Sequence, residues 1–214
     1  MFTGLVEEIG EIARYTKTGN GSRLLVNCEL VLRDIEPGAS VAVNGLCLTA
    51  AEITDSGFHA DVMPESIRRS SLSSLQQGAR VNLERAMPAD GRFGGHFMTG
   101  HIDGVGRVVS REREQNADLF AIAAEPPEMR YLVKKGSVSI DGISLTVAEI
   151  EKEHFWVSIV PHTLNNTTLK YLTPGDLVNI ETDLIGKYVR KFFEESDEDN
   201  PNLNIELLKN SGFK

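Results

Sequence analysis

Residues 40–84 are answered by residues 137–181 at a constant offset of 97, with 16 identities in 45 gap-free positions. The matches include Gly45/Gly142, Leu48/Leu145, Thr49/Thr146, Ala51-Glu52-Ile53/Ala148-Glu149-Ile150, Phe58/Phe155, Pro64/Pro161, Gly78/Gly175 and Val81-Asn82/Val178-Asn179. The repeat resumes at Thr99-Gly100, which answers Thr3-Gly4 at an offset of 96, so a one-residue indel falls within residues 17–23. Self-similarity of this length marks a duplication, and it restricts the fold to one that each half can build. The chain therefore divides into two homologous domains, residues 1–96 and 97–184, and a tail, residues 185–214. The boundary falls in the glycine-rich residues 91–96, which read as a linker with little side chain to pack.

Within each half the pattern is that of β structure. Ser40-Val41-Ala42-Val43 alternates small or polar residues with Val, residues 48–53 are apolar with one acid, and residues 58–63 and 80–83 alternate. Turn signals at Pro37-Gly38, Asn44-Gly45, Asp55-Ser56-Gly57 and Gln77-Gly78 separate these runs. Asn44-Gly45 and Asp141-Gly142 predict tight hairpins, because both central residues of a type I′ turn need positive φ. Several short strands in each half predict a small closed barrel, whose closure removes free sheet edges. Pro64 followed by Glu65-Ser66-Ile67-Arg68-Arg69 predicts one helical turn. In the tail, Ile185, Tyr188, Val189, Phe192 and Phe193 share one helical face, and the acids and Pro201 of residues 197–202 end the pattern. Residues 205–209 predict a second short helix. The apolar face either caps a barrel or forms an oligomer contact.

A net charge of -9, with 31 acids against 22 bases, argues against nucleic acid, whose phosphates need clustered Lys and Arg. No apolar run approaches the roughly 18 to 20 residues that span a bilayer. The N-terminal residues carry Glu7, Glu8 and Glu11 and lack the basic and apolar regions of a signal peptide, so the expected location is the cytoplasm. Cys28 and Cys47 are too few for a disulfide framework, and His59, His96, His101, His154 and His162 are scattered without metal-ligand spacing.

Chemistry-bearing residues stand out at repeat positions. Cys47 occupies the place of Ser144, and both precede Leu-Thr after the hairpin glycine. A thiol and a hydroxyl can each add to an electrophilic carbon or move a proton; a free Cys is also a common core filler. His101 follows Thr99-Gly100 where the first half has Leu5, which makes the halves unequal. It is a candidate acid–base, or a surface histidine at a strand start. Thr49, Thr146, Ser66 and Thr163 are paired hydroxyls able to grip one polar ligand twice, and Lys135 lies beside the second Ser-Val strand. Two like scaffolds with unlike polar residues suggest two similar ligands in different roles.

Met1-Phe2-Thr3-Gly4, Asn44-Gly-Leu-Cys-Leu-Thr49, Gly94-Gly-His-Phe-Met-Thr-Gly-His101, Ile140-Asp-Gly-Ile-Ser-Leu-Thr146 and Pro161-His-Thr-Leu164 closely resemble the riboflavin synthase family over about residues 1–190. The resemblance implies a mainly β fold: two tandem homologous six-stranded closed antiparallel barrels plus a C-terminal α-helix. It implies that each barrel binds one 6,7-dimethyl-8-ribityllumazine, with no metal or redox cofactor. The helices would hold a homotrimer, and the productive site would lie between the N-barrel of one subunit and the C-barrel of its neighbour. One lumazine would give a four-carbon unit to the other, yielding riboflavin and 5-amino-6-ribitylamino-uracil. Lumazine synthase is a further expected partner.

Carried over by position, the N-barrel pocket would comprise Gly4, Leu5 and Val6, Cys47, Leu48 and Thr49, and Asp61, Val62, Met63, Pro64, Glu65 and Ser66. The C-barrel pocket would comprise Gly100, His101 and Ile102, Lys135, Ser144, Leu145 and Thr146, and Ser158, Ile159, Val160, Pro161, His162 and Thr163. Phe2, Thr3, Ser40, Asp141 and Asp183 match further family positions near the site, and Ser66 stands where many members have Thr. By the same resemblance Cys47, His101 and Ser144 would be catalytic. The 7-methyl group of the lumazine is acidic, because its carbanion delocalises over the pteridine, and His101 is the candidate base. Cys47 or Ser144 would add at C7 of the second lumazine or orient a water there. Holding the two rings in a fixed pair supplies at best roughly 7 to 11 kcal/mol. The alternative on the same fold is a non-catalytic lumazine- or flavin-binding protein of the antenna type. A flavin reductase would need a nucleotide-binding βαβ unit where this chain has its second barrel.

Overall fold

The computed structural model describes residues 1–18 and 21–199. Strands β1 (Glu8–Thr18), β2 (Gly21–Asn27), β3 (Ser40–Val43), β4 (Leu46–Thr54), β5 (Gly57–Val62) and β6 (Arg80–Arg85) close into one antiparallel barrel in the order β1-β2-β5-β4-β3-β6. Helix α1 (Pro64–Arg69) lies between β5 and β6. Strands β7 (Gly104–Glu114), β8 (Ala117–Ala123), β9 (Ser137–Ile140), β10 (Ile143–Ile150), β11 (His154–Ile159) and β12 (Leu177–Thr182) close a second barrel with the same connectivity. Here α2 (Pro126–Met129) follows β8 and α3 (Pro161–Asn166) follows β11. The expected pair of six-stranded barrels is therefore what the sequence builds.

Local chemistry accounts for the joints. Asn44-Gly45 and Asp141-Gly142 adopt φ of 46° and 78° in both turns, the left-handed pair that a two-residue hairpin requires. β4 and β10 each carry a register shift, at Ala50/Glu52 and Val147/Glu149, at corresponding positions of the repeat. Such bulges bend a strand so that six strands can close. Phe58, Leu24, Ile12 and Leu83 fill the first barrel, and Phe155, Phe120, Ile122 and Ile140 fill the second, all fully buried.

The barrels meet hairpin to hairpin. A Cβ on Gly45 would sit 2.7 Å from the Gly142 nitrogen, and one on Gly142 would sit 2.6 Å from the Gly45 nitrogen, so neither turn tolerates a side chain at its second position. Around this contact two buried amides reciprocate. Asn82 Nδ2 donates to the Asp141 carbonyl at 2.9 Å, and its Oδ1 accepts from Thr168 N–H at 2.8 Å. Asn179 Nδ2 donates to the Asn44 carbonyl at 2.8 Å, and its Oδ1 accepts from Ser71 N–H at 2.6 Å. The repeat identity Asn82/Asn179 is thus an inter-barrel lock, in which buried polar groups are matched rather than left unpaired.

Within residues 91–96, positions 91–94 are exposed and irregular, and the packed part is Gly95 and His96. His96 is 6% exposed. A Cβ on Gly95 would come 1.8 Å from the Thr3 carbonyl oxygen. Gly95 permits this close packing, which composition alone does not distinguish from looseness.

The tail unit begins with α4 (Leu184–Asp199). The acids at 197 and 199 do not stop this helix, because Asp and Glu are tolerated in helices and only a following Pro excludes the conformation. Ile185, Tyr188, Val189, Phe192 and Phe193 lie on one face and are 48–70% exposed. The second helix expected at residues 205–209 falls outside the described residues. Among the described residues no helix is long and apolar enough to cross a membrane.

Candidate active site

Each barrel is preceded by a short lead-in that a buried glutamate clamps. Glu84 of β6 accepts Thr3 N–H at 2.7 Å and Thr3 Oγ1–H at 2.8 Å on one oxygen, and Gly4 N–H at 3.0 Å on the other. Glu181 of β12 does the same for Thr99 (2.7 and 2.7 Å) and Gly100 (3.1 Å). Burial raises the Glu84 pKa, and the three donated hydrogen bonds oppose that rise. Gly4 and Gly100 have φ of 80° and 81°, a turn that β-carbon residues avoid.

The two lead-ins pair antiparallel with each other and then exchange barrels. Phe2 N–H donates to the Met98 carbonyl at 2.9 Å and Met98 N–H to the Phe2 carbonyl at 3.1 Å. Ser144 N–H, in the second barrel, donates to the Gly4 carbonyl at 2.9 Å, whereas Cys47 N–H, in the first, donates to the Gly100 carbonyl at 2.8 Å. Val6 packs against the second core and Ile102 against the first. This corrects the expected grouping of the pockets. Gly4 and Val6 belong with Ser144, and Gly100, His101 and Ile102 belong with Cys47.

The first site is a cleft of about 400 Å³ lined by Cys47, Glu65, Ser66, Arg69, His101 and Ile102, among others. Helix α1 supplies Glu65 and Ser66, with Pro64 at its first turn and exposed Met63 capping it. Arg69 and Arg68 bond the Glu65 carboxylate at 2.8 and 2.5 Å, and the Arg69 bond is the main reason its pKa is lowered. His101 is exposed, and its backbone N–H donates to Thr99 Oγ1 at 3.2 Å. Cys47 is a free thiol packed against the buried cluster of Phe2, Ala42 and Met98. The other thiol, Cys28, is pushed up to about 12 by burial and by Glu8, so it stays protonated at neutral pH.

The second site has the same frame with different groups. Ser144 is half-buried between Gly4 and Gly95, and its Oγ lies 2.7 Å from His96 Nδ1. Helix α3 starts at Pro161 and carries exposed His162 and half-buried Thr163, with exposed Val160 before it. Lys135 is exposed at φ 67°, and its backbone N–H donates to the Val147 carbonyl at 2.8 Å.

The other expected residues divide between core and surface. Leu48 and Val62 are in the first core, and Leu145 and Ile159 in the second. Thr49, Thr146 and Ser158 are exposed on their strands, Leu5 is 52% exposed in the lead-in, and Asp61 is exposed with Arg23 3.9 Å away. Three further groups matter that the residue types alone did not single out. Glu84 and Glu181 were legible as an identity of the repeat, since acids retained at one buried strand position signal a clamp. His96 has no partner in the repeat offsets and left no such signal.

The lumazine binding domain family model matches residues 3–86 and 99–183. Across the full chain the sequence is 45% identical to riboflavin synthase of Actinobacillus pleuropneumoniae, with 100% of both chains covered. It is 41% identical to that of Bacillus subtilis (strain 168), again with 100% of both covered, and 36% identical to that of Photobacterium phosphoreum, with 100% and 99% covered. Among solved structures, LumP complexed with 6,7-dimethyl-8-(1'-D-ribityl) lumazine superposes with a TM-score of 0.78 at 26% identity, covering 85% of this chain and 99% of that one. LumP complexed with riboflavin gives 0.79 at 27% identity, with the same coverage.

Proposed function

The chain belongs to the riboflavin synthase family, with the lumazine binding domain present twice, and from that premise we propose how its two sites divide one reaction. The enzyme is a transferase that dismutates two molecules of 6,7-dimethyl-8-ribityllumazine into riboflavin and 5-amino-6-ribitylamino-uracil. The atoms of two substrates equal those of the two products, so the reaction needs no external oxidant or reductant. The observation that carries this reading over a purely binding role is full-length identity of 36–45% to riboflavin synthases, against 26–27% to LumP.

Each site takes one lumazine. The exposed imidazole of His101, in the cleft with Cys47, is the base for the acidic 7-methyl group. Cys47 and Ser144, at one repeat position, meet the electrophilic C7 of a lumazine either directly or through a water. Their backbones are held by the opposite half's lead-in, which supports a fixed approach of residue and ring. The open faces beside Met63 and Val160 suit completion of the site by a neighbouring subunit. The exposed apolar face of α4 suits self-association as a homotrimer. Lumazine synthase remains a proposed second partner, testable by co-sedimentation, and the cytoplasm the proposed location.

Incubating the protein with 6,7-dimethyl-8-ribityllumazine alone tests the function. Riboflavin should accumulate catalytically. Tight binding with unchanged substrate absorbance would place the chain with the non-catalytic binders instead.

A further inference from the structure

The amides of Asn82 and Asn179 do more than join the barrels, because the groups they hold belong to the walls of the sites. Asn179, of the second barrel, reaches two places in the first. Its Nδ2 donates to the Asn44 carbonyl at 2.8 Å, in the hairpin turn that leads straight into Leu46 and Cys47 of β4. Its Oδ1 accepts from Ser71 N–H at 2.6 Å, where a short 3-10 turn (Ser71–Ser74) follows α1. The preceding residue, Ser70, donates its hydroxyl to the Ser66 carbonyl at 2.6 Å and so ties that turn to α1. Cys47 and Ser66 line the same cleft. One side chain of the second barrel thus grips both the hairpin wall and the helix wall of the first site.

Asn82 does the same in the other direction. Its Nδ2 donates to the Asp141 carbonyl at 2.9 Å, in the turn that leads into Ser144. Its Oδ1 accepts from Thr168 N–H at 2.8 Å, and the neighbouring Thr167 hydroxyl donates to the Thr163 carbonyl of α3 at 2.8 Å. Every member of this chain of bonds recurs at the offset of 97, with a hydroxyl kept at Ser70/Thr167 and an amide at Asn82/Asn179. The lead-ins cross as well, since Cys47 N–H donates to the Gly100 carbonyl and Ser144 N–H to the Gly4 carbonyl. Each site therefore takes its lead-in and its amide bridge from the barrel opposite its own.

The residue type fits the task. A bridge from a carbonyl to an N–H needs a donor and an acceptor on one short planar group, and an amide supplies both. Each of the two amides is 2% exposed, and turning either one over would set N–H against N–H and oxygen against oxygen. Removing a bridge leaves a buried carbonyl and a buried N–H unpaired, and the cost falls on the spacing of the two walls.

We propose that Asn179 is a positioning residue of the first site and Asn82 of the second, each fixing the distance between the hairpin and the helix of the opposite barrel. Damage to an amide in one barrel then shows in the site of the other. This rests on the reading of Cys47 and Ser144 as markers of the two ligand sites.

The test is thiol alkylation of the full-length protein, mapped residue by residue by mass spectrometry. Cys47 reports the first site. Ser144→Cys gives the second site the group that Cys47 carries at the same repeat position. Cys28 stays protonated and reacts little. Without ligand, Asn179→Ala should raise the alkylation rate at residue 47 several-fold and leave residue 144 as in the parent, and Asn82→Ala should do the reverse. With riboflavin as the probe, the concentration that half-protects the thiol should rise about tenfold at the crossed site, the worth of a lost buried hydrogen bond, and hold within about twofold at the other. Equal changes at both thiols, as a merely structural role predicts, or a change in the amide's own barrel, would overturn the proposal. Asn179→Ser and Asn82→Ser, whose hydroxyl can keep one of the two bonds, decide the same question where an alanine variant does not fold, and parent-like rates at both thiols there would overturn it too. If riboflavin protects neither thiol in the parent, the reading of the sites is what has failed, and the ligand-free rates still decide the bridges.

Discussion

Asp141 is wholly buried in the hairpin where the two barrels touch, and burial pushes its carboxyl pKa from the ordinary 3.8 to about 7. Its Oδ1 accepts from Asn179 N–H at 2.8 Å, which opposes the rise without cancelling it. The first barrel holds an amide at the equivalent place: Asn44 Oδ1 accepts from Asn82 N–H at 2.7 Å, in a turn with the same φ of 46°. Asp141→Asn should therefore keep the turn and the hydrogen bond while removing the titration. A raised carboxylate pKa means that the folded state holds a proton that the unfolded chain releases, so stability falls as pH rises from 3.8 towards about 7. A shift of about 3 units at 1.36 kcal/mol each amounts to as much as ~4 kcal/mol. Relative to the parent, the Asn variant should gain up to that amount at pH 8 and only a minor part of it near pH 4.5. Urea unfolding followed by Trp156 fluorescence, at matched protein concentration, reads the difference at both values. A variant that is equally destabilised at both pH values would refute the claim that burial of the charge dominates at this site.

Cys47→Ala should lower kcat far more than it weakens lumazine binding, and Cys47→Ser should be milder, because Ser144 shows a hydroxyl at the repeat position; steady-state kinetics with a binding titration separates the two. A chain ending at Leu184 should run as a monomer on a sizing column, bind lumazine and lose turnover; a fully active truncated trimer would contradict the role given to α4. Residues 1–95 alone lack Gly100, His101 and Ile102, which pack on the first barrel, so this piece should pair with a second copy and bind lumazine and riboflavin by fluorescence with little product formed. Near-normal turnover by that half would make His101 dispensable.

Much of the fold was legible because a duplication is visible without any structure. The offset of 97 placed Asn44-Gly45 over Asp141-Gly142, and turn chemistry then dictated the hairpin at both. The exchange of lead-ins was not legible. An offset relates Gly4 to Gly100, and it is silent on which barrel each one touches; that depends on the pairing of Phe2 with Met98 in three dimensions. Gly95 was not legible for a related reason, since glycine marks both freedom and close approach, and only the neighbours Thr3 and Ser144 decide between them. His96 stood in the Gly94–His101 motif without a role, because the repeat gave it no counterpart. Leu48, Val62, Leu145 and Ile159 came into the expected pocket by family position, and strand alternation turns their side chains into the cores.

The most direct test of the account is the stoichiometry of the reaction in dialysed, chelator-treated protein given only 6,7-dimethyl-8-ribityllumazine. Chromatography should find two lumazines consumed for each riboflavin and each 5-amino-6-ribitylamino-uracil formed, over many turnovers. Consumption without the pyrimidine, or a requirement for an added electron acceptor, would contradict dismutation as the function of the paired barrels.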